Sequence, residues 1–182
     1  DKRGIFYDKN RSIDITTSVT GTFTTEGWSV YKYTNLRSDG QLGSNTTFPD
    51  TDFPMFRLAD VYLMYAEAVA RGGQGGSMAT AVQYINALRQ RAYGDTFHGI
   101  NEAWLRENNF RNILDERQRE LYWEGTRRTD LIRYGLFTSG NYLWTFKGGV
   151  LGGVGVNGRY NVFPIPTTDL SVNGNLKQNE GY

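Results

Sequence analysis

The run of residues 113–137 constrains the fold more than any other stretch, because it combines a helical apolar stripe with many charges. Its apolar residues include Ile113, Leu114, Leu121 and Trp123. Its charged residues include Asp115, Glu116, Arg117, Arg119, Glu120, Glu124, Arg127, Arg128 and Asp130. Since an unpaired buried charge is very costly, these side chains must pair wherever the helix packs. The run therefore predicts a salt-bridged junction that joins the C-terminal helices to residues 163–166.

Helical spacing also predicts a hairpin upstream of this run. Residues 55–71 carry apolar positions one turn apart, Pro54 suits the first turn, and Gly72 follows the last turn. A second helix is predicted from the cap residue Ser77 to Gly94. The short link of sequence GGQGG between them favours an antiparallel pair.

Further helices are predicted over residues 102–108, 110–124 and 130–134. The sequence on either side of these helices is not helical in pattern. Apolar alternation at Ile13, Ile15, Val19, Trp28, Val30, Tyr31 and Tyr33 predicts extended segments with one hairpin at most. The chain thus divides into a loop-rich extended segment (1–52), a helical region (53–137) and an irregular, glycine-rich region (138–182).

Composition excludes several classes of function. With 20 basic and 19 acidic side chains, the net charge of +1 gives no field that would attract nucleic acid. The sequence has no cysteine, and its one histidine, His98, has no second nitrogen or sulfur ligand for zinc. We expect no cofactor, although Asp39, Asp50 and Asp52 could supply oxygen ligands to calcium without EF-hand spacing.

Two patterns imitate catalytic or cofactor motifs. Glu116 and Glu120 lie one helical turn apart, but glycosidase carboxylates face each other across a cleft, about 5 to 10 Å apart. Arginines interleave with these two glutamates, which favours a salt-bridge lattice. Residues 153–158 match G-x-G-x-x-G, yet Pro164 follows where a helix would have to begin. No catalytic residues are therefore predicted.

Aromatic residues make up 14% of the chain, which raises the expectation of a surface that binds flat ligands. The candidate ligand-binding residues are Trp28, Tyr31, Tyr142 and Trp144, which lie in loop-like surroundings. Their rings could stack on a sugar or simply anchor their loops. Trp104 and Trp123 follow apolar stripes and are expected in the core.

Five ordered segments resemble the C-terminal half of the SusD/RagB family of glycan-binding outer-membrane lipoproteins. They are residues 57–68 (RLADVYLMYAEA), 85–92 (INALRQRA), 113–137, 163–166 (FPIP) and 175–182 (NLKQNEGY). The family is several hundred residues long, so the chain, which opens abruptly at Asp1, is interpreted as a piece of a longer protein.

This resemblance implies a mainly α fold, in which tetratricopeptide-like helical hairpins carry long irregular loops and a few short strands. It also implies a non-catalytic protein that captures oligosaccharides or polysaccharides for a SusC-like TonB-dependent transporter. Such a protein is anchored to the cell outer membrane, exposed at the surface, through a lipidated N-terminal region absent from this chain. The alternative is a helical-repeat module that binds another protein, with no sugar site in this segment. A glycoside hydrolase is a third alternative.

Overall fold

The computed structural model describes residues 1–17 and 24–182, and these form two compact units. The first unit contains residues 1–9 and 28–127. The second contains residues 10–27 and 128–182, with residues 18–23 outside the described part.

A helical hairpin forms the centre of the first unit. Helix α1 spans Leu58–Ala70 and helix α2 spans Met78–Tyr93. The Ser77 side chain accepts a hydrogen bond from the amide of Thr80, and Gly94 ends α2 in the left-handed conformation with φ of 81°. Tyr62 and Tyr84 stack between the helices with ring centroids 4.1 Å apart. The predicted hairpin and both of its cap residues are confirmed.

The predicted start of α1 is wrong by three residues. Residue Arg57 has an extended backbone, with φ of −129° and ψ of 140°, so the helix begins at Leu58 and Pro54 lies outside it. The Arg57 guanidinium donates hydrogen bonds to Glu120 and Glu124. Apolar spacing alone predicted a helix at Arg57. The structure instead has an extended backbone there, and the Arg57 side chain pairs with two carboxylates.

Two further helices complete the core of the first unit. Helix α3 spans Glu102–Arg106, a short turn covers Glu107–Phe110, and helix α4 spans Arg111–Leu121. Helix α1 packs against α2, α3 and α4. The buried apolar core consists of Ala59, Leu63, Ala66, Ala70, Ala81, Ile85, Leu88, Leu105, Ile113 and Leu121. Trp104 packs against this core as expected.

A small antiparallel sheet lies in the same unit. Strand β1 (Phe6–Tyr7) pairs with strand β2 (Ser29–Val30), with Phe6 opposite Val30. Ile13 and Ile15, for which extended segments and loops were predicted, lie outside any strand, and Val19 lies outside the described residues. The partner of strand β2 is a segment closer to the N-terminus that the alternation did not indicate.

The second unit is mostly irregular. Helix α5 spans Arg127–Arg133, with its residues from 128 onward in this unit, and helix α6 spans Thr167–Val172. Leu131 and Leu136 are buried. Gly153 has φ of 75°, and a Cβ there would lie 2.6 Å from the Trp144 carbonyl oxygen, so only glycine fits this close approach. The described residues are thus mainly helical with long loops and one two-stranded sheet, as predicted.

Replacing the fully buried Leu63 by alanine should lower the free energy of unfolding by about 2–5 kcal/mol, because it leaves a cavity between α1 and its neighbours. Chemical denaturation measures this change. The matched control is Met64→Ala on the exposed side of α1, which should change stability by no more than about 0.5 kcal/mol. Equal losses in the two variants would contradict the assigned core.

Candidate functional site

Three carboxylates near the C-terminal end of α4 organise the first unit. Glu116 is fully buried and accepts hydrogen bonds from Arg3 and Arg89, each at 2.7 Å, and from Arg119 at 3.1 Å. The Arg3 guanidinium brings the N-terminal segment to α4, and Arg89 brings α2. One carboxylate therefore connects three parts of the chain.

Glu120 lies one turn further along α4 and binds three arginines. Its oxygens lie 2.5 Å from Arg91, 3.0 Å from Arg57 and 3.3 Å from Arg3. Burial by itself raises the pKa of Glu120, but the hydrogen bonds and charges of Arg91 and Arg57 outweigh burial, so the pKa lies below its ordinary value. This carboxylate stays ionised because it is surrounded by cations.

Glu124 is the third carboxylate, and it lies just after the helix. It accepts hydrogen bonds from Lys32 at 2.5 Å and from Arg57 at 2.8 Å. The predicted salt-bridge lattice is confirmed, and its partners come from the N-terminal segment and the α1–α2 hairpin. The predicted salt-bridged junction to residues 163–166 is wrong, because these residues carry no charge and the carboxylates pair with other segments. The contact that the run makes with this segment is that of Arg128, whose guanidinium lies 4.0 Å from the Phe163 ring centroid.

The expectation that Trp123 lies in the core is wrong, since 68% of its surface is exposed. Helix α4 ends at Leu121, Tyr122 is extended, and Trp123 has a left-handed backbone with φ of 63°. The helical wheel carried the signal that was missed. If the helix continued at about 100° per residue, Trp123 would lie about 160° around the helix axis from Leu121. It would therefore be on the side of the helix opposite to the apolar stripe.

Trp28 and Tyr31 lie at the two ends of strand β2 in the first unit. Trp28 is 43% exposed, and its ring lies 6.2 Å from that of Phe6. The Tyr31 side chain is also exposed, and its amide donates a hydrogen bond to Ile5 at 3.0 Å. The small sheet thus holds both predicted site residues at the surface.

Trp144 and Tyr142 lie together in the second unit, with ring centroids 6.3 Å apart. Trp144 is 39% exposed and also stacks beside Phe137 at 6.0 Å. The ammonium of the buried Lys147 lies 4.6 Å from the Trp144 ring centroid. The structure brings this predicted pair together.

Lys147 anchors the loop that carries these rings. Its ammonium donates hydrogen bonds to the carbonyl oxygens of Ser139 at 2.5 Å, Tyr142 at 2.7 Å and Leu136 at 3.3 Å. Burial lowers the pKa of Lys147, whereas the three carbonyl oxygens favour its charged form. The loop is thus closed around one buried cation, and the Trp144 ring is held against it.

An open hollow of about 610 Å³ lies beside this ring and is called the Trp144 hollow. Its volume falls in the range of about 300–1,000 Å³ typical of small-molecule sites. Its polar groups include Asn157, whose side-chain oxygen accepts from the Arg159 amide at 2.9 Å, leaving the NH2 group facing no partner among the described residues. The lining residues are Arg128, Phe137, Trp144, Gly148, Val154, Gly155, Val156, Asn157, Tyr160, Val162, Phe163 and Tyr182.

A hollow of about 590 Å³ in the first unit is called the Trp123 hollow. Sequence reasoning missed it because it depends on the turn that exposes Trp123. The lining residues are Tyr33, Thr34, Asn35, Thr46, Pro49, Thr51, Asp52, Phe53 and Trp123.

The described residues contain no group of three or more acidic, histidine or cysteine side chains that could hold a metal ion. Asp50, one of the residues considered for calcium, accepts hydrogen bonds from the amide and hydroxyl of Ser44 at 2.6 and 2.7 Å. These bonds lower the pKa of Asp50. His98 stacks on Tyr93 and lies 2.9 Å from Asp95.

Within residues 1–17 and 24–182, no helix combines the length and the apolar character needed to cross a membrane.

The fold and the two hollows define a helical scaffold whose loops present exposed aromatic rings. A sequence profile of the SusD family matches residues 10–182. The chain is 46% identical over 158 residues to the starch-binding protein SusD of Bacteroides thetaiotaomicron, which covers 87% of this chain. It is 36% identical over 142 residues, 70% of its length, to a SusD-like protein of Formosa agariphila. The chain belongs to the SusD family.

Solved structures agree with this assignment and confirm the predicted SusD-like fold. A SusD superfamily protein from Parabacteroides distasonis matches 92% of this chain with a TM-score of 0.60 and 26% identity, over 35% of its own length. A SusD-like protein from Bacteroides fragilis matches 86% of this chain with a TM-score of 0.60. The chain spans 26% of the length of SusD from Bacteroides thetaiotaomicron and 24% of the length of the SusD-like protein from Formosa agariphila.

Replacing Glu120 by glutamine should destabilise the protein by roughly 1–3 kcal/mol, because Arg91 loses its carboxylate partner while Arg57 and Arg3 keep Glu124 and Glu116 respectively. It should also change the pH dependence. Because the folded-state pKa of Glu120 is lowered, its contribution is fully present above the unfolded value of about 4.3 and is lost as pH falls through the folded value. Unfolding free energy measured between neutral pH and pH 3 should therefore fall less steeply in Glu120→Gln.

The matched control is Glu180→Gln, which removes an exposed carboxylate of the second unit. It should leave both the stability and the pH profile close to those of the parent protein. A Glu120→Gln profile that runs parallel to the parent profile would contradict the assigned role of this carboxylate.

Proposed function

We propose that this chain is the C-terminal portion of a cell-surface protein that binds glycans without cleaving them. The protein captures oligosaccharides or polysaccharides and delivers them to a SusC-like TonB-dependent transporter in the outer membrane. The identity of 46% with a starch-binding protein supports glycan capture. A lipid anchor in the preceding part of the protein would hold it at the outer membrane. Segments 1–52, 53–137 and 138–182 would together form the C-terminal portion of a SusD-like domain.

The single observation that carries this proposal is the arrangement around Trp144. An indole face that is partly exposed beside an open hollow offers a flat apolar surface for the C–H face of a pyranose ring. Asn157 lines the same hollow, and its side-chain NH2 group, which has no hydrogen-bond partner among the described residues, can donate to a sugar hydroxyl. Because Lys147 fixes the loop, little entropy is lost on binding.

Tyr142 would extend the stacking surface from Trp144 along a glycan chain. Trp28 and Tyr31, in the first unit, would provide a further aromatic surface at the ends of β2. All four residues remain the proposed glycan-binding set, with the Trp144 hollow as its best-formed part.

A second candidate function is docking of another protein on the outer side of α1. Leu58, Val61 and Met64 are about half exposed or more, and Met55 and Phe56 before the helix are more than 80% exposed. Exposed apolar surface of this kind is typical of interaction sites. In that case α1 would bind a partner protein and this segment would hold no sugar.

Replacing Trp144 by alanine should weaken glycan binding, because the ring that stacks on the sugar is removed. Loss of one tryptophan contact costs about 2 kcal/mol, or about a 30-fold increase in Kd. Affinity electrophoresis in gels that contain starch or another polysaccharide measures this change. Tyr142→Ala, Trp28→Ala and Tyr31→Ala, tested in the same gels, should each show a smaller loss.

Phe97→Ala is the matched control, because Phe97 is 94% exposed and lines neither hollow. It should migrate as the parent protein does. Unchanged retardation of all four site variants would contradict the proposed site, and release of reducing sugar above a buffer control would contradict the non-catalytic role.

A further inference from the structure

The Trp123 hollow is built by the same charge network that organises the first unit. Trp123 lies between two fixed residues. The Tyr122 carbonyl accepts a hydrogen bond from Lys32 at 2.9 Å, and the Tyr122 hydroxyl donates to Arg3 at 2.7 Å. On the other side, Glu124 is held by Lys32 and Arg57. The indole between them is therefore held outward.

Two features of Trp123 are energetically unfavourable. A non-glycine residue with φ of 63° is uncommon and is a form of backbone strain that clusters at binding sites. In addition, 68% of a large apolar side chain faces solvent. Both costs accompany a ring that is held beside an open hollow.

The polar groups of the hollow are suited to hydroxyl donors. The carboxylate of Asp52 is exposed and has no hydrogen-bond partner among the described residues, and the same holds for the Thr46 hydroxyl. Phe53 adds a second exposed ring beside Asp52. An aromatic face next to an unpaired carboxylate provides stacking and charge-assisted acceptance of hydroxyl protons in one site.

Aromatic rings with a carboxylate could also bind a cation. The Lys32 ammonium lies 6.0 Å from the centroid of the Tyr33 ring, which lines the hollow, but the Glu124 carboxylate balances its charge. A titration with a quaternary ammonium ion therefore has to separate a cation site from a saccharide site.

We infer that the Trp123 hollow is a second saccharide site, in which a neutral sugar ring stacks on Trp123 and donates hydroxyl protons to Asp52. This site is separate from the Trp144 hollow, and the choice of a saccharide as ligand rests on the proposed function. Its volume of about 590 Å³ suits a short oligosaccharide segment rather than a small head group.

The inference is tested by fluorine NMR of the intact protein labelled with 5-fluorotryptophan, which reports each site separately. Trp123→Phe and Trp144→Phe assign the two resonances. Maltoheptaose, cellohexaose and xylohexaose are titrated in turn, followed by tetramethylammonium. We expect one of the saccharides to shift the Trp123 resonance, and Asp52→Ala to weaken that titration at least about tenfold while the Trp144 titration is unchanged.

Asp39→Ala is the matched control, since it removes an exposed carboxylate that pairs with Arg37 and does not line the hollow. It should leave both titrations unchanged. A shift of the Trp123 resonance alone would support this inference and contradict the proposed site at Trp144. A shift of the Trp144 resonance alone would overturn the inference and leave the proposed function intact. A Trp123 response to tetramethylammonium only would overturn it in favour of a cation site, and no response of either resonance would overturn both.

Discussion

The first unit depends on the pairing of three carboxylates, those of Glu116, Glu120 and Glu124, with cations from distant parts of the chain. Buried carboxylates are tolerated only when cations and hydrogen bonds replace their hydration. Here the cations include Arg3 from the N-terminal segment and Arg57 from the entry to α1. The apolar core packs α1, α2 and α4, whereas the carboxylates determine where the irregular segments attach to them.

Each unit also holds an aromatic surface against a buried or half-buried lysine. In the first unit the Lys32 ammonium lies 4.6 Å from the Tyr122 ring centroid and binds the residues on both sides of Trp123. In the second unit Lys147 lies the same distance from Trp144 and binds three carbonyl oxygens of its loop. Because cations bind ring faces and carbonyl oxygens at once, one lysine can fix both a loop and its ring.

Sequence periodicity predicted the elements whose interactions are local. The α1–α2 hairpin follows from apolar spacing and from the caps at Ser77 and Gly94, and the need to pair the charges of α4 follows from their number. The identity of the partners did not follow, because Arg3 and Glu116 are 113 residues apart. The exposure of Trp123 could have been predicted, because the helical wheel places this residue away from the apolar stripe. Its left-handed backbone could not, because it depends on tertiary contacts of its neighbours.

If the proposed sites bind glycans, the contacts that fix their rings link stability to ligand binding. A ring that is fixed before the ligand arrives loses little conformational entropy, so more of the stacking energy appears as affinity. In the proposed sites, the NH2 group of Asn157 and the carboxylate of Asp52 would then distinguish one arrangement of hydroxyls from another, because a hydroxyl in the wrong position leaves a polar group unsatisfied. Loss of Lys147 or Glu124, neither of which needs to touch a ligand, would lower stability and also free the rings, so it would weaken binding at the proposed sites without removing any contact to the glycan.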